Sequence, residues 1–167
     1  MSISPPASRR KLRYLLVMPR LVQRVGDGYS FPLGIAYISS SMKAEKLDVV
    51  TLNLNHHPGE VEEIITREIR QHAIDVVATG GLSFQYNAIR RVVETAKKVC
   101  PGIITIVGGG IITSDPVTSM TALEHVDYGV VGEGEQTIRE LGRCLEEGTP
   151  IHGVNGVIYR HNGVFMQ

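Results

Sequence analysis

Apolar residues in this chain fall into short solid runs, separated by longer stretches in which they recur every three or four positions. Solid runs of this length are strands buried on both faces, and the spaced pattern marks one-sided helices. The runs fall at 14–18, 48–54, 74–78, 103–107 and 128–131. Helical periodicity predicts helices over 33–46, 60–72 and 87–99. The first presents Leu33, Ala36, Tyr37 and Ser40 on one face, the second Val61, Ile64, Ile65 and Ile69, and the third Ile89, Val92, Val93 and Ala96. A short helix over 116–123 with Asp115 as N-cap, and a last one over 135–146 ended by Gly148, complete the series.

Five apolar strands alternating with helices predict an α/β fold with a parallel sheet covered on both faces. With right-handed crossovers this is a doubly wound, Rossmann-like or flavodoxin-like sheet of five strands, order 2-1-3-4-5. Residues 154–167 read as two short strands joined at Asn162-Gly163, a C-terminal β-hairpin. The chain thus divides into a disordered lead-in (1–11), a ligand-binding domain (12–150) and a hairpin or linker (151–167). Ligands of such sheets bind beyond the carboxyl ends of the strands. That edge carries the loop 19–32, TGGLS (79–83), GGG (108–110) and GEGE (132–135). Glycine endings after the fourth and fifth strands are expected to open a flat slot for a large ligand.

Seventeen basic residues balance seventeen acidic ones, which argues against nucleic acid as a partner. The cluster Arg9, Arg10, Lys11 and Arg13 reads as a solvated approach to the first strand. No apolar run is long enough for a membrane span, and the N-terminus lacks the apolar core of a signal peptide, so a cytoplasmic protein is expected. Cys100 and Cys144 belong to no metal motif and are expected as free thiols.

Dinucleotide binding would need GxGxxG after the first strand, where the chain reads Met18-Pro19-Arg20. A P-loop is absent, and the strand ends lack the aspartates of a phospho-receiver. No catalytic triad or zinc-protease motif occurs, and no catalytic residue is assigned. His56-His57 reads as a solvated loop. Tyr29 and Phe31 either lie against a planar ligand or form a packed lid.

The segments PLGIAYISSSMK (32–43), DVVTLNLN (48–55), DVVATGGLSFQYNAIRRVVETAKKV (75–99), IVGGGIITSDP (106–116) and VDYGVVGEGEQTIREL (126–141) carry a resemblance. Together they resemble the cobalamin-binding domain that precedes the catalytic domain in many radical S-adenosylmethionine enzymes. The resemblance implies cobalamin as cofactor and a role as N-terminal module of a radical S-adenosylmethionine methyltransferase or cyclase. S-adenosylmethionine and a four-iron four-sulfur cluster would belong to an absent radical domain, since this chain has no CxxxCxxC. The D-x-H-x-x-G of methyl-carrying and mutase cobalamin domains is also missing, which implies cobalt without an axial histidine.

On this resemblance Arg20, Leu21, Val22, Gln23 and Tyr29 face the cobalt's lower side. Thr79, Gly80, Leu82 and Ser83, with Gly108, Gly109 and Gly110, hold the nucleotide tail. Gly132, Glu133 and Gly134 open the last helix toward the ligand, or they cap it together with Glu135. Gly109→Val is then expected to block the tail channel while leaving the fold largely intact. The alternative reading is a Rossmann-like sensor domain for another nucleotide-bearing ligand.

Overall fold

The computed structural model describes residues 10–167. The lead-in expected over 1–11 therefore lies, for residues 1–9, outside the described residues. Arg10 and Lys11 are tied down: Arg10 pairs with Asp75 at 2.5 Å, and the Lys11 ammonium donates to the Lys46 carbonyl at 3.1 Å.

Strands β1 (Arg13–Met18), β2 (Asp48–Asn53), β3 (Val76–Gly80), β4 (Ile104–Gly108) and β5 (Tyr128–Val130) run parallel. Helices α1 (Leu33–Ala44), α2 (Val61–His72), α3 (Tyr86–Val99), α4 (Gly110–Ser114) and α5 (Pro116–Ala122) make the crossovers, and α6 (Gly134–Glu147) follows β5. Asp115 caps α5 by accepting from the Thr118 N–H, and Gly148 ends α6 in the left-handed conformation. The sheet order is β2-β1-β3-β4-β5-β6-β7, where β6 (Val157–His161) and β7 (Val164–Met166) are the terminal hairpin.

The sheet therefore has seven strands, and the expected five are corrected by the hairpin's docking. β6 pairs antiparallel with β5, Val130 opposite Val157 and Gly129 opposite Ile158. That pairing buries Val157 and Ile158 and closes an edge that would otherwise expose unpaired backbone groups. Gly129 makes it possible, because a Cβ there would lie 2.6 Å from the Ile158 Cγ2. Local periodicity carries no sign of a partner strand almost thirty residues away.

Alternation along β1 sends its side chains into two cores. Leu15 and Val17 pack with Ile64, Ile65 and Val92 under α2 and α3. Tyr14 and Leu16 pack with Met42, Ile138 and Leu141 under α1 and α6. The face expected on the first helix needs correction: Leu33 is 64% exposed and Tyr37 59%, while Ile35, Ile38 and Met42 turn inward. Apolar residues surround the first two turns of α1, so their period does not select a face. Contact with α6 does, where missing Cβ atoms at Gly134 and Gly142 admit Ile38 and Leu47.

Tyr14 lies at the centre of that second core, its hydroxyl donating to the Gly142 carbonyl at a long 3.4 Å. Burial first, then the charges of Glu146 and Asp75, push its pKa well above the free phenol value of 10.0. An acid raised in the folded state contributes stability that is complete below its unfolded pKa and is lost as pH rises beyond it. The Tyr14 phenol should thus ionise only on unfolding, with stability falling above about pH 10. Tyrosinate absorbance during alkaline titration should show this as a step coincident with loss of circular dichroism, and Tyr14→Phe should weaken the coupling. A Tyr14 that ionises while the fold persists would contradict it.

Candidate functional site at the carboxyl edge of the sheet

The β1–α1 loop begins where β1 leaves the sheet beside the end of β2. Pro19 is buried, Arg20, Leu21 and Val22 are half-buried, and Gln23 is exposed. The Arg20 guanidinium is turned sideways, donating to the Leu54 carbonyl at 3.3 Å and the His57 carbonyl at 2.8 Å. It braces the β2–α2 turn, leaving the backbone of 20–23 and the side chains of its neighbours to shape the edge. Tyr29 is braced as well, its hydroxyl accepting from the Asn53 amide at 2.7 Å and lying 2.9 Å from His56 Nε2.

The β3 and β4 turns meet as a closed seam. The Gly81 N–H donates to the Gly108 carbonyl at 3.2 Å, and the Ile111 N–H donates to the Gly81 carbonyl at 3.0 Å. A Cβ on Gly80 would lie 2.5 Å from the Gly108 oxygen, and one on Gly109 would lie 2.8 Å from the Gly81 oxygen. A Cβ on Gly110 would meet the Leu82 Cδ2 at 2.8 Å. These glycines let two turns interlock, so no slot opens between them. The expectation that Gly109→Val spares the fold is corrected on the same ground. Thr79 is buried, and its hydroxyl donates inward to the Val17 carbonyl at 2.9 Å. Leu82 and Ser83 do reach the surface, with Leu82 55% exposed.

At the third turn Gly132 has φ +77° and open space around it, and its N–H donates to the Thr113 hydroxyl. Glu133 is exposed at the N-cap of α6 and makes no side-chain bond to the helix. Gly134 faces Ile38, a packing role.

The edge holds side chains that the sequence did not single out. Phe84, on the 3₁₀ turn Ser83–Gln85 after β3, is 81% exposed. With Val25, Phe31, Leu33, Tyr37 and Leu82 it belongs to the turns and helix start on this side of the sheet, all largely exposed. Buried Asn55 was equally unforeseen, sitting within a stretch that reads as a polar loop.

Residues 19–142 match the family model described as the B12 binding domain. The chain belongs to this family. Cobalamin is its ligand class, and the expectation that the resemblance implied is met at that level. The B12-binding domain is 31% identical over 160 residues to an uncharacterized methyltransferase of Pyrococcus horikoshii, covering 91% of this chain and 33% of that protein. It is 25% identical over 146 residues to the anaerobic magnesium-protoporphyrin IX monomethyl ester cyclase of Synechocystis, covering 86% of this chain and 29% of that one. Among solved structures it resembles the radical S-adenosylmethionine methyltransferase TsrM of Kitasatospora setae, solved with cobalamin and a [4Fe-4S] cluster. That match has a TM-score of 0.79 at 18% identity, covering 93% of this chain and 28% of TsrM. The chain spans about a third of the length of the curated relatives it matches.

The donor set fits a cobalamin held without a protein axial ligand. The β1–α1 loop contains no histidine or cysteine, and the neighbouring His56 already faces Tyr29 through Nε2. Exposed apolar side chains along the edge suit the broad hydrocarbon faces of a corrin. Among the described residues no helix is long and apolar enough to cross a membrane.

Proposed function

We propose that this B12-binding domain holds cobalamin over its carboxyl edge with no histidine on cobalt, as a module of a cobalamin-dependent radical S-adenosylmethionine methyltransferase. The observation that carries the reading is the β1–α1 loop, which lies at the fold's ligand-binding edge and offers the metal no imidazole. The names of the longer relatives support the catalytic partner: one is a methyltransferase, and TsrM pairs cobalamin with an iron–sulfur cluster. A cytoplasmic setting accords with Cys100 and Cys144 both being free.

In this reading the backbone of Arg20, Leu21, Val22 and Gln23, with Tyr29 beside it, forms the floor below the corrin. Leu82 and Ser83 wall one side, and Gly132 leaves the backbone before α6 open to a corrin amide or ribose, with Glu133 as an acceptor. The seam of Gly80, Gly108, Gly109 and Gly110 sets the height of that wall. Bound cobalamin would supply a cobalt centre able to carry a methyl group. The protein's part is to orient the ring, keep one face covered and leave the other toward a partner domain.

Hydroxocobalamin should be retained through desalting, and electron paramagnetic resonance of the reduced cobalt(II) complex should lack nitrogen superhyperfine splitting. Splitting from an axial imidazole would refute the histidine-free arrangement, and splitting from the cofactor's own benzimidazole would refute a lower face covered by the β1–α1 loop alone. Loss of all corrin absorbance from folded protein would refute the ligand position altogether.

A further inference from the structure

The β1–α1 loop hangs from a buried side chain in the turn that follows the neighbouring strand β2. Asn55 is 2% exposed, and both its polar atoms are engaged. Its Oδ1 accepts from the Leu21 N–H at 2.6 Å and the Val22 N–H at 3.2 Å. Its Nδ2 donates to the Pro19 carbonyl at 3.1 Å and to Asn53 Oδ1 at 2.9 Å. Asn53 continues outward through its own amide to the Tyr29 hydroxyl. The same hydroxyl lies 2.9 Å from His56 Nε2 and exchanges a hydrogen bond with it in a direction set by the imidazole tautomer. Both the start of the loop and its far end at Tyr29 are therefore held by residues at the end of β2.

We propose that Asn55 is a positioning residue for the cofactor's lower face, fixing residues 19–22 before any ligand arrives. The inference rests on the cobalamin reading above. A loop without a metal ligand gains no order from cobalt, so its geometry must come from the protein. A side chain that meets three backbone groups within the four residues 19–22 supplies it. A preformed floor spares the ligand the loss of loop freedom on binding. The amide is suited to this role because it both accepts and donates, as Pro19 and the Leu21–Val22 pair require.

The test uses the whole chain and three variants. Asn55→Ala removes the hold, and Asn55→Ser, which keeps a small hydroxyl, serves should the alanine protein not fold. Thr105→Val perturbs a buried polar group at the opposite end of the sheet. Hydrogen exchange in ligand-free protein reads the loop directly: the Leu21 and Val22 amides should be protected in the wild type and exchange at least about tenfold faster in the Asn55 variants, the factor set by 1.4 kcal/mol. Hydroxocobalamin should bind the Asn55 variants about tenfold or more weakly, with an altered visible spectrum, while Thr105→Val binds as the wild type does. Unchanged exchange at Leu21 and Val22 in the folded variants overturns the proposal. So does unchanged affinity despite faster exchange, or an equal loss of affinity in Thr105→Val. A wild type that retains no corrin defeats the cobalamin reading instead, and the exchange data then still decide whether Asn55 orders the loop.

Discussion

Gly109→Val should cost the domain its native fold rather than close a channel. Gly109 has φ +86° and ψ −169°, a region open essentially to glycine alone. A side chain there would meet the Gly81 oxygen at 2.8 Å and nitrogen at 3.0 Å, backbone atoms that cannot swing aside. Relief would require parting the two turns, and with them the Gly81–Gly108 and Ile111–Gly81 hydrogen bonds. Backbone strain costs about 1–3 kcal/mol, overpacking about 1–3 kcal/mol, and each hydrogen bond about 1 kcal/mol. The sum reaches the lower range of total stability for a domain, about 5–15 kcal/mol. Urea denaturation should show a protein largely unfolded in water, or one recovered only from the insoluble fraction. Gly102→Ala is the contrast: nothing lies within 4 Å of its added Cβ, and its φ is not in the left-handed region. It should change stability by no more than about 0.5 kcal/mol. A Gly109→Val protein with the wild-type midpoint would show that the seam does not exist.

The same glycine shows where sequence reading stops. A strand followed by glycines announces that something comes close to the backbone there, and it does. Whether that neighbour is a ligand or the adjacent turn is fixed by register, Gly80 opposite Gly108, which no local pattern contains. Strand order was legible because solid apolar runs alternate with one-sided helices and leave few right-handed topologies. The buried face of α1 was not, since apolar residues encircle its first turns and the choice belongs to α6. The docked hairpin escaped for a related reason: its two-residue turn is local, but its partner β5 is not. At the site, Arg20 looked like a ligand-facing cation in a loop and proved to brace carbonyls of the next turn. Asn55 looked like part of a polar loop and proved to be the buried anchor of another. Polar residues near strand ends are ambiguous in this way, because a loop's backbone groups need partners as much as a ligand does.

The other large effect belongs to the opposite end of the strands, and there stability should change without function. Asp127, just before β5, accepts on Oδ2 from the Lys97 ammonium at 2.6 Å and from the Thr105 N–H at 2.8 Å. The single proton of the Thr105 hydroxyl goes to the His125 carbonyl at 2.5 Å, so its 3.1 Å approach to the same carboxylate is no second donation. Asp127→Ala would leave the N–H of fully buried Thr105 without a partner, at about 1–3 kcal/mol. Lys97 keeps its bond to the Ile103 carbonyl, and the ion pair is partly exposed, so its loss adds only about 1 kcal/mol. A destabilisation of about 2–4 kcal/mol is expected, lowering the melting temperature by roughly 5–15 °C. Asp127→Asn, which can still accept from Thr105, should recover more than half of it. Hydroxocobalamin affinity, measured well below either melting temperature, should equal that of the wild type. The residues that would touch the ligand follow the strands, whereas Asp127 and Thr105 sit at or before their starts, a strand length of roughly 10–17 Å away. Weakened binding in fully folded Asp127→Ala would mean that the amino end of the sheet controls the geometry of the carboxyl edge. The separation of stability from ligand contact along the strands would then fail.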